Sequence, residues 1–299
     1  MDYTQFYQKI LLNCGPYGSS IKIMKTIRLL AMDLDDTLLR SDLTISFRAR
    51  KAIKKVEAAG VTVVLASGRT EAAMEQFSRD LGMNKRTGYL ICNNGTVICE
   101  SRTGSIVFEK ILDPKITLLA FDLVDAEGFS IQVYDDDIMY VSRTNEYTEY
   151  DKKLTGLKQV VTDNFREIAN LGCHKLLIPG DPALLAPLEI ILRNYLGNEI
   201  TLFTSKPYFL EILPPLTDKG TALAKIAEML GIDRKETMAI GDSMNDEAMI
   251  RWAGVGVAMI NGDERIKKIA DIITERTNDD DGVVDIIEKY ILNQAAAYG

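Results

Sequence analysis

The chain has 299 residues, of which 46% are hydrophobic and 26% are charged, and its formal net charge is −8. This length and composition suit a globular protein with one large or two ordinary domains and exclude a largely disordered chain. No stretch combines clustered Lys and Arg with interleaved aromatic residues. We therefore expect a small-molecule or protein partner and no nucleic acid.

The sequence shows neither a membrane-spanning segment nor a secretion signal. No apolar run reaches the roughly 18 residues that a spanning helix needs, and the N-terminus lacks a basic region followed by an apolar core. The four cysteines form no CxxC pair and accompany a single histidine, so reduced thiols are expected and a zinc site is not. We expect a cytoplasmic protein that does not contact a membrane and is a monomer or a homodimer.

Residues 1–23 stand apart from the rest of the chain. They contain a short amphipathic piece followed by "CGPYGSS", which has the composition of a loop. We interpret residues 1–23 as an N-terminal extension and Met24 as the start of the functional domain. A helical appendage is the alternative interpretation.

Short apolar runs alternate with helical patterns in residues 24–112 and again in residues 213–299. The predicted strands are 27–32, 61–66, 89–92, 237–240, 255–259 and 271–274. The predicted helices are 46–60, capped by Ser46 and ended by Gly60, and 70–82, 219–230, 245–252 and 263–269. Short, almost wholly apolar strands between helices indicate an α/β fold, a doubly wound parallel sheet covered on both faces. Such sheets bind ligands at the carboxyl ends of their strands.

Residues 113–212 interrupt this alternation. They predict a hairpin at 129–143 with an acidic turn, a helix at 182–196, and strands at 175–180, 200–206 and 208–213. This mixture indicates a separate α+β module inserted between the two halves of the sheet domain. The acidic runs at 135–137 and 278–282 are interpreted as solvated turns.

Carboxylates follow two of the predicted core strands. Asp33, Asp35 and Asp36 come directly after strand 27–32, and Asp242 and Asp246 follow strand 237–240. Two unit charges about 4 Å apart repel by about 4 kcal/mol at an effective dielectric constant near 20, so a positive charge is expected among them. Mg²⁺ prefers oxygen ligands and needs few protein carboxylates, so Asp33, Asp242 and a substrate oxyanion suffice.

Two further strand ends supply groups that bind anions. Ser67 offers a hydroxyl and Gly68 an amide at the start of a helix, where the helix dipole favours negative charge. Lys219 lies in the first turn of helix 219–230, where a cation is unfavourable unless an anion is nearby. With a divalent cation, these groups suit phosphoryl transfer through an aspartyl-phosphate. Asp35 would protonate the leaving alkoxide and later deprotonate the attacking water.

Four segments, "DLDDTLL", "LASGRT", "DKGTAL" and "GDSMNDEAM", resemble in order the four motifs of the haloacid dehalogenase (HAD) superfamily. "ICNNG" and the placement of the insert resemble its Cof-type sugar phosphatase branch, which has a class IIB cap. The resemblance implies that residues 24–112 and 213–299 are the catalytic core and that residues 113–212 are an inserted α+β cap domain that determines substrate specificity. The resemblance implies a nucleophile, Asp33, an acid/base, Asp35, and a supporting carboxylate, Asp246. It implies Mg²⁺ ligands in Asp33, Asp242 and the backbone carbonyl of Asp35. It implies phosphate contacts from Leu34, Ser67, Gly68, Lys219 and Asn245.

One position departs from the resembled motif, which often reads P-x-G-x-x-K-G before the helix. Leu216 stands where the glycine would be, and this bears on the shape of the loop and leaves Lys219 unaffected. Asp35 favours phosphate ester hydrolysis, because the metal-free dehalogenases of the superfamily lack this acid. Thr37 is assigned to the turn after the first strand, where it bonds the loop.

The resemblance implies Mg²⁺-dependent hydrolysis of phosphorylated small molecules, chiefly sugar phosphates, with flavin mononucleotide and pyridoxal phosphate as further candidates. A phosphotransferase or phosphomutase is one alternative, and a regulatory protein that binds a phosphometabolite with negligible turnover is another. In the insert, Lys175 is a candidate for contacting the polar end of the substrate. Asn94 is a candidate for facing the cleft.

Overall fold

The structure is a computed structural model and describes residues 26–135 and 138–293. The predicted extension 1–23 lies outside the described residues, as do Asp136 and Asp137 of the acidic hairpin turn. None of the described helices has the length and apolar character of a membrane span.

Strands and helices fall close to the positions that the sequence predicts. The strands are β1 (Leu29–Asp33), β2 (Thr62–Ala66), β3 (Tyr89–Cys92), β4 (Val97–Glu100), β5 (Ile106–Glu109), β6 (Gln132–Asp135), β7 (Ile138–Val141), β8 (Lys158–Val161), β9 (Leu176–Pro179), β10 (Thr201–Lys206), β11 (Phe209–Leu213), β12 (Thr237–Gly241), β13 (Val255–Ala258) and β14 (Ile272–Ile273). The helices are α1 (Phe47–Ala58), α2 (Glu71–Leu81), α3 (Pro114–Ala126), α4 (Glu146–Thr155), α5 (Phe165–Ala169), α6 (Pro182–Leu196), α7 (Lys219–Leu230), α8 (Glu247–Trp252), α9 (Glu264–Lys267) and α10 (Gly282–Ile287).

The larger sheet has eight strands in the order β14-β13-β12-β1-β2-β3-β4-β5. The six strands from β14 to β3 are parallel, whereas β4 and β5 extend the sheet in antiparallel fashion. The predicted α/β fold with a parallel sheet is therefore confirmed, and two antiparallel strands extend that sheet. β4 and β5, which the sequence pattern did not reveal, form one edge.

Both faces of the larger sheet are covered, as the apolar strands predict. In β1, Leu30 and Met32 pack into one core with α1, α2 and α10, and Leu29 and Ala31 pack into the other core with α7, α8 and α9. This alternation follows from the two-residue period of a strand. β1 is therefore packed on both faces, and this packing holds its carboxyl end in place.

The helix boundaries have the local causes that the sequence suggests. The Ser46 side chain accepts a hydrogen bond from the amide of Ala49 and so caps α1. Gly82 ends α2 in the left-handed conformation, which glycine adopts without steric cost.

A smaller sheet of six strands, in the order β10-β11-β9-β6-β7-β8, is formed by residues inserted between β5 and α7. Its helices α3, α5 and α6 pack on it through a separate core that includes Ala120, Phe165 and Leu188. This is the inserted α+β domain that the fold prediction contains. Its last strand ends at Leu213, one residue beyond the predicted insert, and its role in specificity stays a prediction.

The acidic run at 278–282 is more than the solvated turn that was predicted. Asn278 is buried and donates a hydrogen bond from Nδ2 to the carbonyl of Leu39 at 2.9 Å. Asp279 accepts hydrogen bonds from the amide and the hydroxyl of Ser41 at 2.8 and 2.7 Å. These contacts hold the loop that follows β1. The prediction of a solvated turn is wrong for the buried Asn278, whereas Asp279 lies in an exposed turn as predicted.

Leu216 adopts the backbone conformation that favours glycine. Its φ is 55° and its side chain is 86% exposed, so the left-handed conformation has no compensating burial. For a residue with a Cβ atom this conformation costs about 1–2 kcal/mol. The departure from the resembled motif is therefore strained.

We expect Leu216→Gly to raise the free energy of unfolding by about 0.5–1 kcal/mol, because the relieved strain exceeds the chain entropy that glycine adds to the unfolded state. Chemical denaturation measures the difference. The matched control is Leu171→Gly, at a leucine 78% exposed and outside the left-handed region, which should lower the stability. A Leu216→Gly protein no more stable than the parent would contradict the expectation.

Candidate active site

The polar strand ends meet at one edge of the larger sheet. Asp33, the last residue of β1, is paired in register with Ala66 at the end of β2, and Met32 is paired with Ile240 of β12. Ser67 and Asp242 therefore emerge beside Asp33, since parallel neighbours end on the same side.

Lys219 lies at the centre of this group. Its side chain is fully buried, and Nζ donates hydrogen bonds to Oδ1 of Asp33 at 2.5 Å and to Oδ1 of Asp246 at 2.7 Å. Burial alone would lower the pKa of Lys219, but the carboxylates of Asp246 and Asp33 outweigh it and hold the pKa above its ordinary value. The lysine is therefore a permanent cation beside Asp33.

Glycine makes the approach of this lysine possible. The start of α7 packs against Gly95, where an added Cβ atom would lie 2.3 Å from the carbonyl oxygen of Asp218. Gly95 also has a φ of 105°, which side chains rarely tolerate. The "NNG" turn after β3 is thus shaped to receive the N-terminus of the helix that carries Lys219.

Both carboxylate oxygens of Asp246 already accept hydrogen bonds from the protein. Oδ1 accepts the hydrogen bond from Lys219, and Oδ2 accepts hydrogen bonds from the amides of Asp242 and Ser243 at 3.0 and 3.1 Å. This geometry suits the supporting role predicted for Asp246, because it fixes Lys219 and the loop of Asp242 together.

Thr37 contacts Asp242 and not only its own loop. Its hydroxyl donates a hydrogen bond to Oδ1 of Asp242 at 3.0 Å, although the two residues are 205 positions apart. This corrects the assignment of Thr37 to a local turn contact. Burial, together with repulsion from Asp246 and Asp36, raises the pKa of Asp242 to about 7.

The buried charges of the site do not balance. Carboxylate oxygens of Asp33, Asp242 and Asp246 all lie within 4.8 Å of one another. Lys219 supplies one positive charge against these three, and burial followed by repulsion from Asp246 raises the pKa of Asp33 well above its usual value. A divalent cation with oxygen ligands fits this surplus. Both oxygens of Asp246 already accept hydrogen bonds, so the carboxylates of Asp33 and Asp242 are the more available ligands, and the predicted ligand set stays a prediction.

Asp35 has a partner that the sequence reasoning missed. Both of its carboxylate oxygens accept hydrogen bonds from the guanidinium of Arg69, at 2.8 and 2.6 Å. Bidentate pairs of this kind fix the orientation of a carboxylate. The signal in the sequence was the cation next to Gly68 in "LASGRT", at a strand end that faces the aspartates.

The groups predicted to contact phosphate lie around the same edge. Leu34 directly follows Asp33, and the Ser67 hydroxyl accepts a hydrogen bond from the amide of Arg69 at 3.2 Å. Asn94 lies between Gly68 and Asn245. An added Cβ atom on Gly68 would lie 3.0 Å from Nδ2 of Asn94, and Oδ1 of Asn94 accepts a hydrogen bond from Asn245 at 3.1 Å.

A cavity of about 350 Å³ opens over Asp33 between the loops of the larger sheet and the smaller sheet. The larger sheet contributes Asp35, Ser67 and Asp242 to its walls, and the smaller sheet contributes Lys175. Lys175, predicted as a candidate substrate contact, donates a hydrogen bond to the carbonyl of Gly68 at 2.9 Å and pairs with Glu211 at 3.3 Å.

The model of the haloacid dehalogenase-like hydrolase family matches residues 30–287, and the chain belongs to this family. It is 33% identical to the 5-amino-6-(5-phospho-D-ribitylamino)uracil phosphatase YcsE of Bacillus subtilis, over 89% of this chain and 96% of that protein. The predictions of the family and of a hydrolase related to phosphatases are therefore confirmed.

Solved structures agree with this assignment. A haloacid dehalogenase-like hydrolase from Bacteroides thetaiotaomicron superposes with a TM-score of 0.79 at 35% identity, covering 88% of this chain and 99% of that one. The fold also resembles that of the HAD subclass IIB sugar phosphatase BT4131, with a TM-score of 0.72 at 21% identity, covering 87% of this chain and 98% of that one. The fold matches the branch that the sequence motifs resemble.

Without metal, the stability contributed by Asp242 should fall as the pH rises. Its pKa of about 7 exceeds the ordinary value of 3.8, so the folded state binds the proton more tightly and unfolding releases it between these values. We expect the free energy of unfolding of the EDTA-treated protein to decrease between about pH 5 and pH 8. Urea denaturation at both pH values measures the slope, and Asp242→Asn should flatten it. An equal slope in both proteins would contradict the raised pKa.

Proposed function

We propose that the protein is a Mg²⁺-dependent phosphatase that hydrolyses phosphate monoesters of small metabolites through an aspartyl-phosphate on Asp33. The observation that carries this proposal is the buried contact between Lys219 and one oxygen of Asp33, next to the surplus negative charge of Asp242. Among the described residues, the second oxygen of Asp33 receives no hydrogen bond. The phosphatase named among the relatives supports the same reaction class.

Asp33 acts as the nucleophile in the first step. Its free oxygen attacks phosphorus and forms an acyl phosphate while the ester P–O bond breaks and the electron pair leaves with the alkoxide oxygen. Lys219 reduces the repulsion between the carboxylate and the phosphate dianion. Ser67, Asn245 and the amides of Leu34 and Gly68 orient the phosphate oxygens.

Asp35 moves the proton in both steps. It donates a proton to the leaving alkoxide, and in its ionised form it takes a proton from the water that attacks the phosphorus of the acyl phosphate. That attack releases inorganic phosphate and regenerates the carboxylate of Asp33. The ion pair with Arg69 suits the second step, because it presents Asp35 as an oriented carboxylate.

The carboxylates of Asp33 and Asp242 and the backbone carbonyl of Asp35 would hold Mg²⁺, which supplies positive charge that neither Lys219 nor Arg69 provides at this position. Thr37 keeps Asp242 in place through its hydroxyl.

The substrates are small phosphorylated metabolites such as sugar phosphates, flavin mononucleotide or pyridoxal phosphate. The cavity of about 350 Å³ lies within the range of small-molecule sites. The smaller sheet closes the side of the cavity away from Asp33, so the alcohol part of the ester would contact the inserted domain.

Asp33→Asn should lower the release of inorganic phosphate at least about 10³-fold, because the amide is a poor nucleophile. Phosphate release from sugar phosphates, nucleotides and cofactor phosphates, assayed with Mg²⁺, measures this. The matched control is Asp80→Asn, at an exposed carboxylate on α2, which should leave the rate unchanged. Activity of Asp33→Asn within a few-fold of the parent would remove Asp33 from this role, and transfer of phosphate to a second alcohol would establish the phosphotransferase instead.

Excess EDTA should abolish turnover, and added Mg²⁺ should restore it, because two buried carboxylates then lose the charge that offsets their repulsion. Mg²⁺ should also raise the melting temperature more at about pH 8 than at pH 5, since protonation of Asp242, with its pKa of about 7, competes with metal binding. Full activity in EDTA would rule out the metal.

A further inference from the structure

The cavity extends from Asp33 to the inserted domain, whose side chains form a further part of its wall. Apolar side chains from α4, β9 and β11 line this part, including Tyr150, Leu177 and Phe209. Polar side chains stand among them, and two of these are buried carboxylates, Asp151 and Glu211. Polar groups that line a small-molecule site determine which ligand fits and in which orientation.

Asp151, on α4, is 4% exposed and has only one oxygen engaged by the protein. Its Oδ2 accepts hydrogen bonds from Nε2 of Gln132 and from the hydroxyl of Tyr134, both at 2.6 Å. Its Oδ1 receives no hydrogen bond from any residue that the structure describes. The carboxylate is therefore held rigidly by two donors and keeps one acceptor oxygen at the cavity wall.

Glu211, on β11, is likewise a buried carboxylate with only one oxygen engaged by the protein. It is 3% exposed, and its Oε2 accepts hydrogen bonds from Nδ2 of Asn94 at 2.9 Å and from Nζ of Lys175 at 3.3 Å. Within residues 26–135 and 138–293, nothing donates to its Oε1. Lys175 neutralises this carboxylate and is itself tied to the carbonyl of Gly68, so the acceptor stands next to the phosphate-binding loop.

Carboxylate oxygens of cavity-lining residues that receive no hydrogen bond from the protein can accept hydrogen bonds from a ligand. Two such oxygens, on different elements of one cavity, match a ligand that brings two hydrogen-bond donors. Adjacent hydroxyl groups of a polyol or a sugar have this character, whereas an alkyl or nitroaromatic alcohol offers none.

We propose that Asp151 and Glu211 are specificity-determining residues that accept hydrogen bonds from two hydroxyl groups of the leaving alcohol. The site thereby selects phosphate esters of polyhydroxylated alcohols. This inference rests on the proposed phosphatase function. Tyr134 and Gln132 act as positioning residues for Asp151.

The test compares two kinds of substrate in the parent and in two isosteric variants, Asp151→Asn and Glu211→Gln. Ribose 5-phosphate and glucose 6-phosphate carry hydroxyl donors, and p-nitrophenyl phosphate carries none on its leaving group. The parent should favour the sugar phosphates. In each variant, the ratio of kcat/KM for a sugar phosphate to kcat/KM for p-nitrophenyl phosphate should fall about 10- to 100-fold, as expected for the loss of a charge-assisted hydrogen bond.

The loss should appear mainly in KM, because the lost contact binds the ground state and the transition state alike. Glu146→Gln removes an exposed carboxylate from the same helix and should leave the ratio unchanged. Melting temperatures of all variants separate misfolding from altered specificity, and Glu211→Gln remains a test if Asp151→Asn does not fold.

The outcomes separate the two proposals. A parent that hydrolyses none of the three esters would overturn the phosphatase function itself. A parent that hydrolyses p-nitrophenyl phosphate but favours no sugar phosphate would overturn the inference and leave the phosphatase intact. Equal losses for both kinds of substrate in folded variants would assign Asp151 and Glu211 a structural role and would also overturn it.

Discussion

The contact between Lys219 and the carboxylates of Asp33 and Asp246 is the interaction on which the rest of the site depends. A fully buried ammonium is stable only with such partners. The contact joins the start of α7 to the end of β1 and to the loop after β12. Elements that are distant in the sequence therefore converge, and one oxygen of Asp33 is left for chemistry.

The same contact leaves a charge imbalance that shapes the rest of the site. Three carboxylates stand within 4.8 Å of one another against one lysine, so the site has a surplus of negative charge before any substrate arrives. Burial, followed by repulsion from Asp246, raises the pKa values of Asp33 and Asp242. The proposed divalent cation would relieve this surplus and would allow the site to bind a phosphate dianion.

Local sequence signals predicted much of the architecture. Continuous apolar strands, helix caps such as Ser46, and carboxylates at strand ends all act over short distances, so the larger sheet and its polar edge could be derived. The edge strand β5 was missed because its apolar residues Ile106 and Val107 are exposed. The bond between Thr37 and Asp242 was missed because it joins residues 205 positions apart. The positions of Asp151 and Glu211 in the cavity depend on the tertiary fold of the inserted domain, which the periodicity of the sequence does not specify.

The proposed reaction transfers the phosphoryl group of the substrate to the carboxylate of Asp33 before water releases it. Acid quenching within the first turnover, followed by borohydride reduction, would convert an aspartyl-phosphate to homoserine, and peptide mass spectrometry would locate it. We expect homoserine at position 33 only in samples that contained substrate. Homoserine at another carboxylate, or an unmodified Asp33 in every quenched sample that had released phosphate, would contradict it.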